Sequence, residues 1–319
     1  MNEKIDKSRE LKTVPKEKRI NKYGGKMIEG KKPQYVAFDI FLVALMVLIM
    51  LICVVPMWHV LMSSFSEGET LMATTGIIWW PVGTNGGFNF GGYELLGQYD
   101  VVWQGYGNTL IYVFASGLLG FVLTVLGGYA LSRKIFFGKP LAFFIMFTMM
   151  FSGGLIPTYM VLKTLGMTGT RWSLIIPGCA NGIFMLVMAN AFRDVPESTV
   201  EAAQIDGAGH LHTLFRIMLP QSMSMATVVI LNTVIMQWNS WYPASIYVST
   251  KRDLWPLQLW IKEIIAQNQN FTQIAGPVDY NRYLLQYVVI IIATLPLIAA
   301  FPLFLKHIEK GVVMGGVKE

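Results

Sequence analysis

Six stretches of this chain are long and apolar enough to cross a bilayer, and none contains an Asp, Glu, Lys, Arg or His. They run over Ile40–Trp58, Asn108–Leu131, Leu141–Val161, Trp172–Phe192, Gln221–Tyr242 and Leu284–Phe304. A helix crossing about 30 Å of hydrocarbon needs around 20 mostly apolar residues, so each stretch predicts one membrane span. Charged residues make up 14% of the chain, against about 25% in a soluble domain. So little charge cannot solvate this much apolar surface, which excludes a soluble enzyme and a disordered chain. The expected fold is all-α and polytopic, with six transmembrane helices.

Lys and Arg favour the cytoplasmic side of a membrane. With the N-terminus inside, 19 of the 25 fall on that side, 11 of them before Phe38. Both termini are therefore expected in the cytoplasm. The division that follows is a basic tail over 1–37, a six-helix domain over 38–305 and a second cytoplasmic tail over 306–319. No A-x-A cleavage signal follows the first apolar run, so that run reads as a retained span. Cys53 and Cys179 each lie inside an apolar run and read as small core hydrophobes.

What the spans lack narrows the function. Ion-driven carriers use ionisable groups at membrane depth to take up and release the coupling ion, and these spans offer none. Nor does the chain contain the G-x-x-x-x-G-K-[ST] loop that cradles nucleotide phosphates. Energy for uphill transport would come from another polypeptide. No Ser-His-Asp or Cys-His arrangement suggests catalysis. His210 and His212, two residues apart with no third ligand nearby, read as solvated or partner-facing groups and not as a metal site.

Neutral polar residues do enter the spans, among them Asn181 and Asn190. The fifth holds Asn232, Thr233, Gln237, Asn239 and Ser240 beside Trp238 and Trp241. On one continuous helix Thr233, Gln237, Ser240 and Trp241 would share a face. Amides and hydroxyls beside indole rings suit a sugar, and they serve equally for hydrogen bonds between helices. Two outer segments are long, 59–107 and 243–283, and rich in aromatics such as Trp79, Trp80 and Trp103. Loops of that length are usually there to contact something, although some of their aromatics belong at the headgroup level.

The inner loop over 193–220 is the most specific feature. It reads as a short surface helix with Asp194 as N-cap, Pro196 in the first turn, and Glu197 and Glu201 near the positive end. Small Ala202 and Ala203 would let another surface approach, and Gly207 would supply the closing bend. The spacing is Glu201-Ala202-Ala203, three residues including Asp206, Gly207, nine residues, Ile217, one residue, Leu219-Pro220. It resembles the EAA loop of ABC-importer permeases, with every fixed position filled.

The resemblance extends from about Phe41 through most of the chain. It is nearest to maltose-type carbohydrate permeases of the smaller membrane subunit, in the aldouronate and complex-oligosaccharide branch. Segments carrying it include Phe151-Ser152-Gly153-Gly154-Leu155-Ile156-Pro157, Trp238-Asn239-Ser240-Trp241-Tyr242 and Trp255-Pro256-Leu257-Gln258-Leu259. It implies the type I ABC-importer permease fold and half of a translocation path. The implied partners are a second, homologous permease, two ATP-binding cassette ATPase subunits and an extracellular solute-binding protein. The substrate would be an oligosaccharide and the surroundings membrane lipid, with no nucleic acid. ATP and Mg would be bound by the ATPase, with no cofactor in this chain.

The family's coupling role passes to Glu201, Ala202, Ala203, Asp206, Gly207, Ile217, Leu219 and Pro220, and Gly207→Asp would uncouple hydrolysis from transport. Substrate-path candidates are Asn232, Thr233, Gln237, Trp238, Asn239, Ser240 and Trp241. Candidates for binding-protein contact are Trp255, Trp260, Tyr280 and Arg282. The alternatives are the same architecture with a non-sugar solute, or a secondary carrier.

Overall fold

The computed structural model describes residues 33–83, 87–133, 137–271 and 280–315. The basic tail through Lys32, Lys134, Asp279 and the last four residues lie outside the described residues, as does the side chain of Arg282. Among the described residues every regular element is helical. The chain divides into two units, Met1–His59 and Val60–Glu319.

The first unit supplies most of helix α1, Pro33–Ser64. Its side chains from Phe38 to Trp58 are apolar and exposed with few exceptions. A helix with no polar face needs an apolar solvent all round, and α1 is the most hydrophobic candidate span.

In the second unit, α2 (Gly68–Ala73) and α3 (Gly91–Gly97) are short helices of the first outer segment. Around them Phe65 stacks on Tyr93 at 5.3 Å and meets Phe88 and Phe90 edge-on. The aromatics of this segment therefore pack largely on one another. Trp79, Trp80 and Trp103 stay exposed.

Helix α4, Asp100–Ser132, has 33 residues and organises the bundle. It begins well before the expected Asn108 and spans about 50 Å at 1.5 Å per residue. One stripe of it is buried: Gly105, Asn108, Tyr112, Ser116, Gly120, Thr124 and Gly128. Small residues at this spacing let helix backbones approach closely. A Cβ on Gly120 would stand 2.8 Å from the Cys179 carbonyl oxygen, and one on Gly128 would stand 2.9 Å from Met188 Cβ.

The third, fourth and fifth expected spans are each broken. Helices α5 (Gly138–Met150) and α6 (Leu155–Thr164) meet at 115°, so Leu141–Val161 is not one straight helix. Gly154 sits at φ +81°, a conformation that side chains rarely adopt. Pro157 would clash with the carbonyl of Gly153 in a continuous helix. Helices α7 (Trp172–Cys179) and α8 (Gly182–Arg193) meet at 41°.

At that second break Asn181 caps α8, its side-chain oxygen accepting from the amides of Ile183 and Phe184 at 3.0 and 3.4 Å. Its place in an apolar span is thus a backbone requirement. Asn181→Ala is expected to lower stability by about 1 kcal/mol, read as a lower thermal unfolding midpoint of the purified chain.

After α9 (Glu197–Ile205), α10 (His210–Gln221) meets α11 (Met223–Trp238) at 86°. Helices α12 (Tyr242–Tyr247) and α13 (Leu257–Phe271) form the second outer segment. Helix α14, Tyr280–Gly315, carries the last span and continues without interruption past Lys306. Residues 306–315 are helical and continuous with the span. Among the described residues, three continuous helices and three bent pairs have the length and composition to cross a membrane. The total is six if each pair counts once, as the sequence indicates.

Candidate functional site

The loop between α8 and α11 folds as a short surface helix followed by a sharp bend. Asp194 is not its N-cap. It closes α8 in helical conformation, its amide donating to the Asn190 carbonyl, and Pro196 precedes the first turn of α9. Proline's fixed φ suits that place, and its missing N–H is no loss at a helix start. Glu197 lies in the first turn, where the helix dipole favours negative charge.

The end of α9 is closed as the sequence predicts. Gly207 adopts φ +81°. The Ala208 amide donates to the Ala203 carbonyl at 2.9 Å, and the Gly207 amide to the Gln204 carbonyl at 3.0 Å. These two bonds define the Schellman closure, which needs a left-handed residue at the position of Gly207.

One side of α9 is fixed to the bundle. Val200 is buried among Val125, Met188, Phe192, Leu214 and Met218, and Ala203 is buried on the same helix. Ala203 is 8% exposed, so its small size serves contact with its own bundle and not with an incoming surface. The opposite side is open: Glu201, Ala202, Asp206 and Gly207 are exposed, and Ile205 is 86% exposed. A bare isoleucine, two carboxylates and a fixed bend thus share one exposed face, held in one orientation by the buried one.

Beyond the bend, α10 contains one wider turn, Leu214–Met218, whose Leu214 and Met218 are buried. Ile217 and Leu219 are half-buried, Leu219 packing on the core beside Leu214 and Met218, while Pro220 is exposed. The Ser222 hydroxyl donates to the Ala191 carbonyl at 3.1 Å and ties the corner to α8. His210 Nδ1 and the Tyr129 hydroxyl are hydrogen-bonded at 3.1 Å, joining α10 to α4.

The structure changes the reading of the fifth span. Helix α11 ends at Trp238, so Thr233, Gln237, Ser240 and Trp241 do not share the face of one helix. The Asn239 side chain donates to the Ile235 carbonyl at 2.8 Å, and such a bond competes with helix continuation. Pro243 then starts α12.

Trp238 is not a path residue, because it is 3% exposed and its Nε1 donates to the Ala293 carbonyl at 3.2 Å. It is core between α11 and α14. Asn232 and Thr233 donate to the carbonyls of Val228 and Val229. Gln237 reaches the Leu174 carbonyl at 3.5 Å, a weak bond that leaves its amide available. Trp241 is half-buried with the Lys262 ammonium 3.9 Å from its ring centroid, a cation–π contact. Asn232, Asn239, Gln237, Ser240 and Trp241 remain accessible polar or aromatic surface.

The second outer segment also needs correction. Trp255 and Trp260 are buried with their rings 4.8 Å apart, and Trp255 Nε1 donates to the Val248 carbonyl at 3.0 Å. They hold the segment together and are not offered to a partner. Tyr280 is accessible at the start of α14. Burial raises the pKa of the Tyr247 phenol, with a smaller push from Tyr242, so it stays neutral across the physiological range.

The residues that anchor this segment were missed in the sequence. Asn108 donates to the carbonyls of Asp253 and Trp255 at 2.7 and 3.1 Å and accepts from Arg171 at 2.9 Å. Tyr112 donates to the Leu254 carbonyl at 2.7 Å, and Thr109 accepts from the Leu257 amide at 2.8 Å. Their signal was present: three hydrogen-bonding side chains within one turn of an apolar span.

Residues 120–314 match the family described as binding-protein-dependent transport system inner membrane component. The chain is 30% identical over 289 residues to the polygalacturonan/rhamnogalacturonan transport system permease protein YtcP of Bacillus subtilis, covering 88% of this chain and 98% of that one. It is 28% identical over 279 residues to the diacetylchitobiose uptake system permease protein NgcG of Streptomyces coelicolor, covering 85% and 86%. In fold it is similar to a chain of a bacterial ABC transporter involved in the import of the acidic polysaccharide alginate. That match has a TM-score of 0.78 at 24% identity over 87% of this chain and 99% of that one. With apolar helices enough for six spans and a family match over residues 120–314, the chain belongs to the inner membrane components of binding-protein-dependent transport systems.

Proposed function

We propose that this permease forms half of the translocation path of an ATP-driven oligosaccharide importer and receives its driving force through α9. The observation that carries this reading is the geometry of α9. Val200 fastens it to α4, α8 and α10, while Ile205, Ala202 and Glu201 are exposed beside a bend fixed by Gly207. A pair of ATPase subunits docked there would move the α8 and α10 packing as one piece. A second permease, an external solute-binding protein and the surrounding lipid complete the assembly. The excess of Lys and Arg supports placing α9 and both termini in the cytoplasm.

Carbohydrate cargo is supported by the relatives, named for polygalacturonan/rhamnogalacturonan, diacetylchitobiose, arabinooligosaccharides and maltodextrin. The neutral amides of Asn232, Gln237 and Asn239 beside Trp241 suit sugar hydroxyls and ring faces. A different solute is the second reading, favoured by the relative named for osmoprotective compounds.

The test is reconstitution in liposomes. The complete importer with its binding protein is expected to accumulate oligosaccharide with ATP, and the purified chain alone to show neither ATP hydrolysis nor uptake. Robust sugar uptake by the chain alone would overturn the proposal.

A further inference from the structure

A cavity of about 660 Å³ lies where α4, α5 and α8 meet the start of α9. Three cations line it, Arg133, Lys139 and Arg193, against one carboxylate, Glu197. The described hydrogen-bond partners of both arginines are neutral. Arg193 donates to the Leu131 carbonyl at 2.8 Å and to the Asn190 side-chain oxygen at 3.0 Å. Arg133 donates to the Met218 sulfur at 2.8 Å and lies 5.5 Å from the Tyr129 ring centroid.

A thioether is a weak acceptor, and a guanidinium ordinarily finds charge-assisted partners. The Nε of Arg133 is buried with no hydrogen-bond partner among the described residues. The cavity thus concentrates positive charge and leaves one donor unanswered. Its other wall is apolar, formed by Leu131, Ala142 and Phe192, and the neighbouring Phe143 is exposed.

We propose that this cavity binds a phosphate group, presented by an anionic phospholipid or free in solution. Phosphate oxygens match the arginine fork, and basic pockets between membrane helices hold anionic headgroups. The apolar wall suits the first carbons of an acyl chain. Because Arg193 ends α8 and Glu197 starts α9, an occupant would brace the seat of α9.

The experiment uses the assembled importer in nanodiscs of phosphatidylglycerol or phosphatidylcholine, with lipid retention read by native mass spectrometry and stability by thermal unfolding. Phosphatidylglycerol is expected to be retained and to raise the midpoint. Arg133→Gln and Lys139→Gln are each expected to weaken retention about fivefold. Lys139 is exposed, so its variant keeps the test valid if Arg133→Gln fails to fold.

Inorganic phosphate separates the two sources. Competition with retained lipid identifies the headgroup as ligand. Stabilisation by inorganic phosphate in detergent, with no preference between the lipids, identifies the free ion. Equal retention of both lipids with no effect of inorganic phosphate would overturn the proposal. So would protection of Lys139 from amine-directed labelling only when the ATPase is bound, which would mark the cavity as a protein contact.

Discussion

Replacing Gly207 by Val is expected to abolish ATP-driven uptake by the assembled importer while the bundle stays folded. Gly207 sits at φ +81°, where a β-branched residue is a true outlier. The strain is about 1–3 kcal/mol, enough to shift the closure toward an open form by about fivefold to a hundredfold. A Cβ there meets nothing within 4 Å, so the fault is confined to the backbone and to the angle that α9 presents. The buried attachment through Val200 is untouched. ATP hydrolysis should therefore continue without matching transport, and the thermal midpoint should barely move.

Gly207→Asn is the control, since Asn enters the left-handed region with little strain, and it should keep most of the uptake. Gly207→Asp tolerates the same backbone but adds a charge beside Asp206 on the exposed face, and so tests docking separately from geometry. Normal uptake by the Val variant in liposomes would remove α9 from the coupling path.

Gly120→Leu is expected to prevent accumulation of the folded chain. Even the Cβ would stand 2.8 Å from the Cys179 carbonyl oxygen, which is backbone and cannot step aside. The helices would have to separate, and overpacking a tight contact costs about 1–3 kcal/mol or more. Here the contact joins the long central helix α4 to α7 beside a break already held by one asparagine cap.

Gly117 is three residues away on the same helix, and a Cβ there meets nothing within 4 Å. Gly117→Ala should leave the thermal midpoint unchanged or raise it, because Ala favours the helix by about 1 kcal/mol over Gly. Fluorescence-detected size exclusion of the two variants side by side provides the measurement. Equal monodispersity would show that the close approach of α4 and α7 is dispensable.

The contrast between these glycines shows what a sequence can and cannot convey. Gly207 was legible because a helix-ending bend is local. The chain needs a left-handed residue after nine residues of helix, and only the neighbouring peptide groups decide that. The six apolar runs were legible for a similar reason, since crossing a bilayer depends on length and composition within one segment. The break in the third was partly written locally as well, in Gly153-Gly154 before Pro157, although composition alone smoothed over it.

Trp238, Trp255 and Trp260 were misread because an aromatic beside amides looks the same whether it faces a sugar or a core. Only the position of α14 put Ala293 against Trp238, and only the fold of segment 243–283 brought Trp255 against Trp260. Ala203 was given the wrong neighbour for the same reason: its smallness signals a close approach without saying from which side. Asn108, Tyr112 and Thr109 await a loop more than 140 residues further along the chain, and no local pattern announces such a partner. Segment length, charge bias and one compulsory bend were thus fixed by chemistry within reach of a few neighbouring residues. Which faces were covered, and by what, was settled when distant helices packed, because burial belongs to pairs of surfaces and not to either one alone.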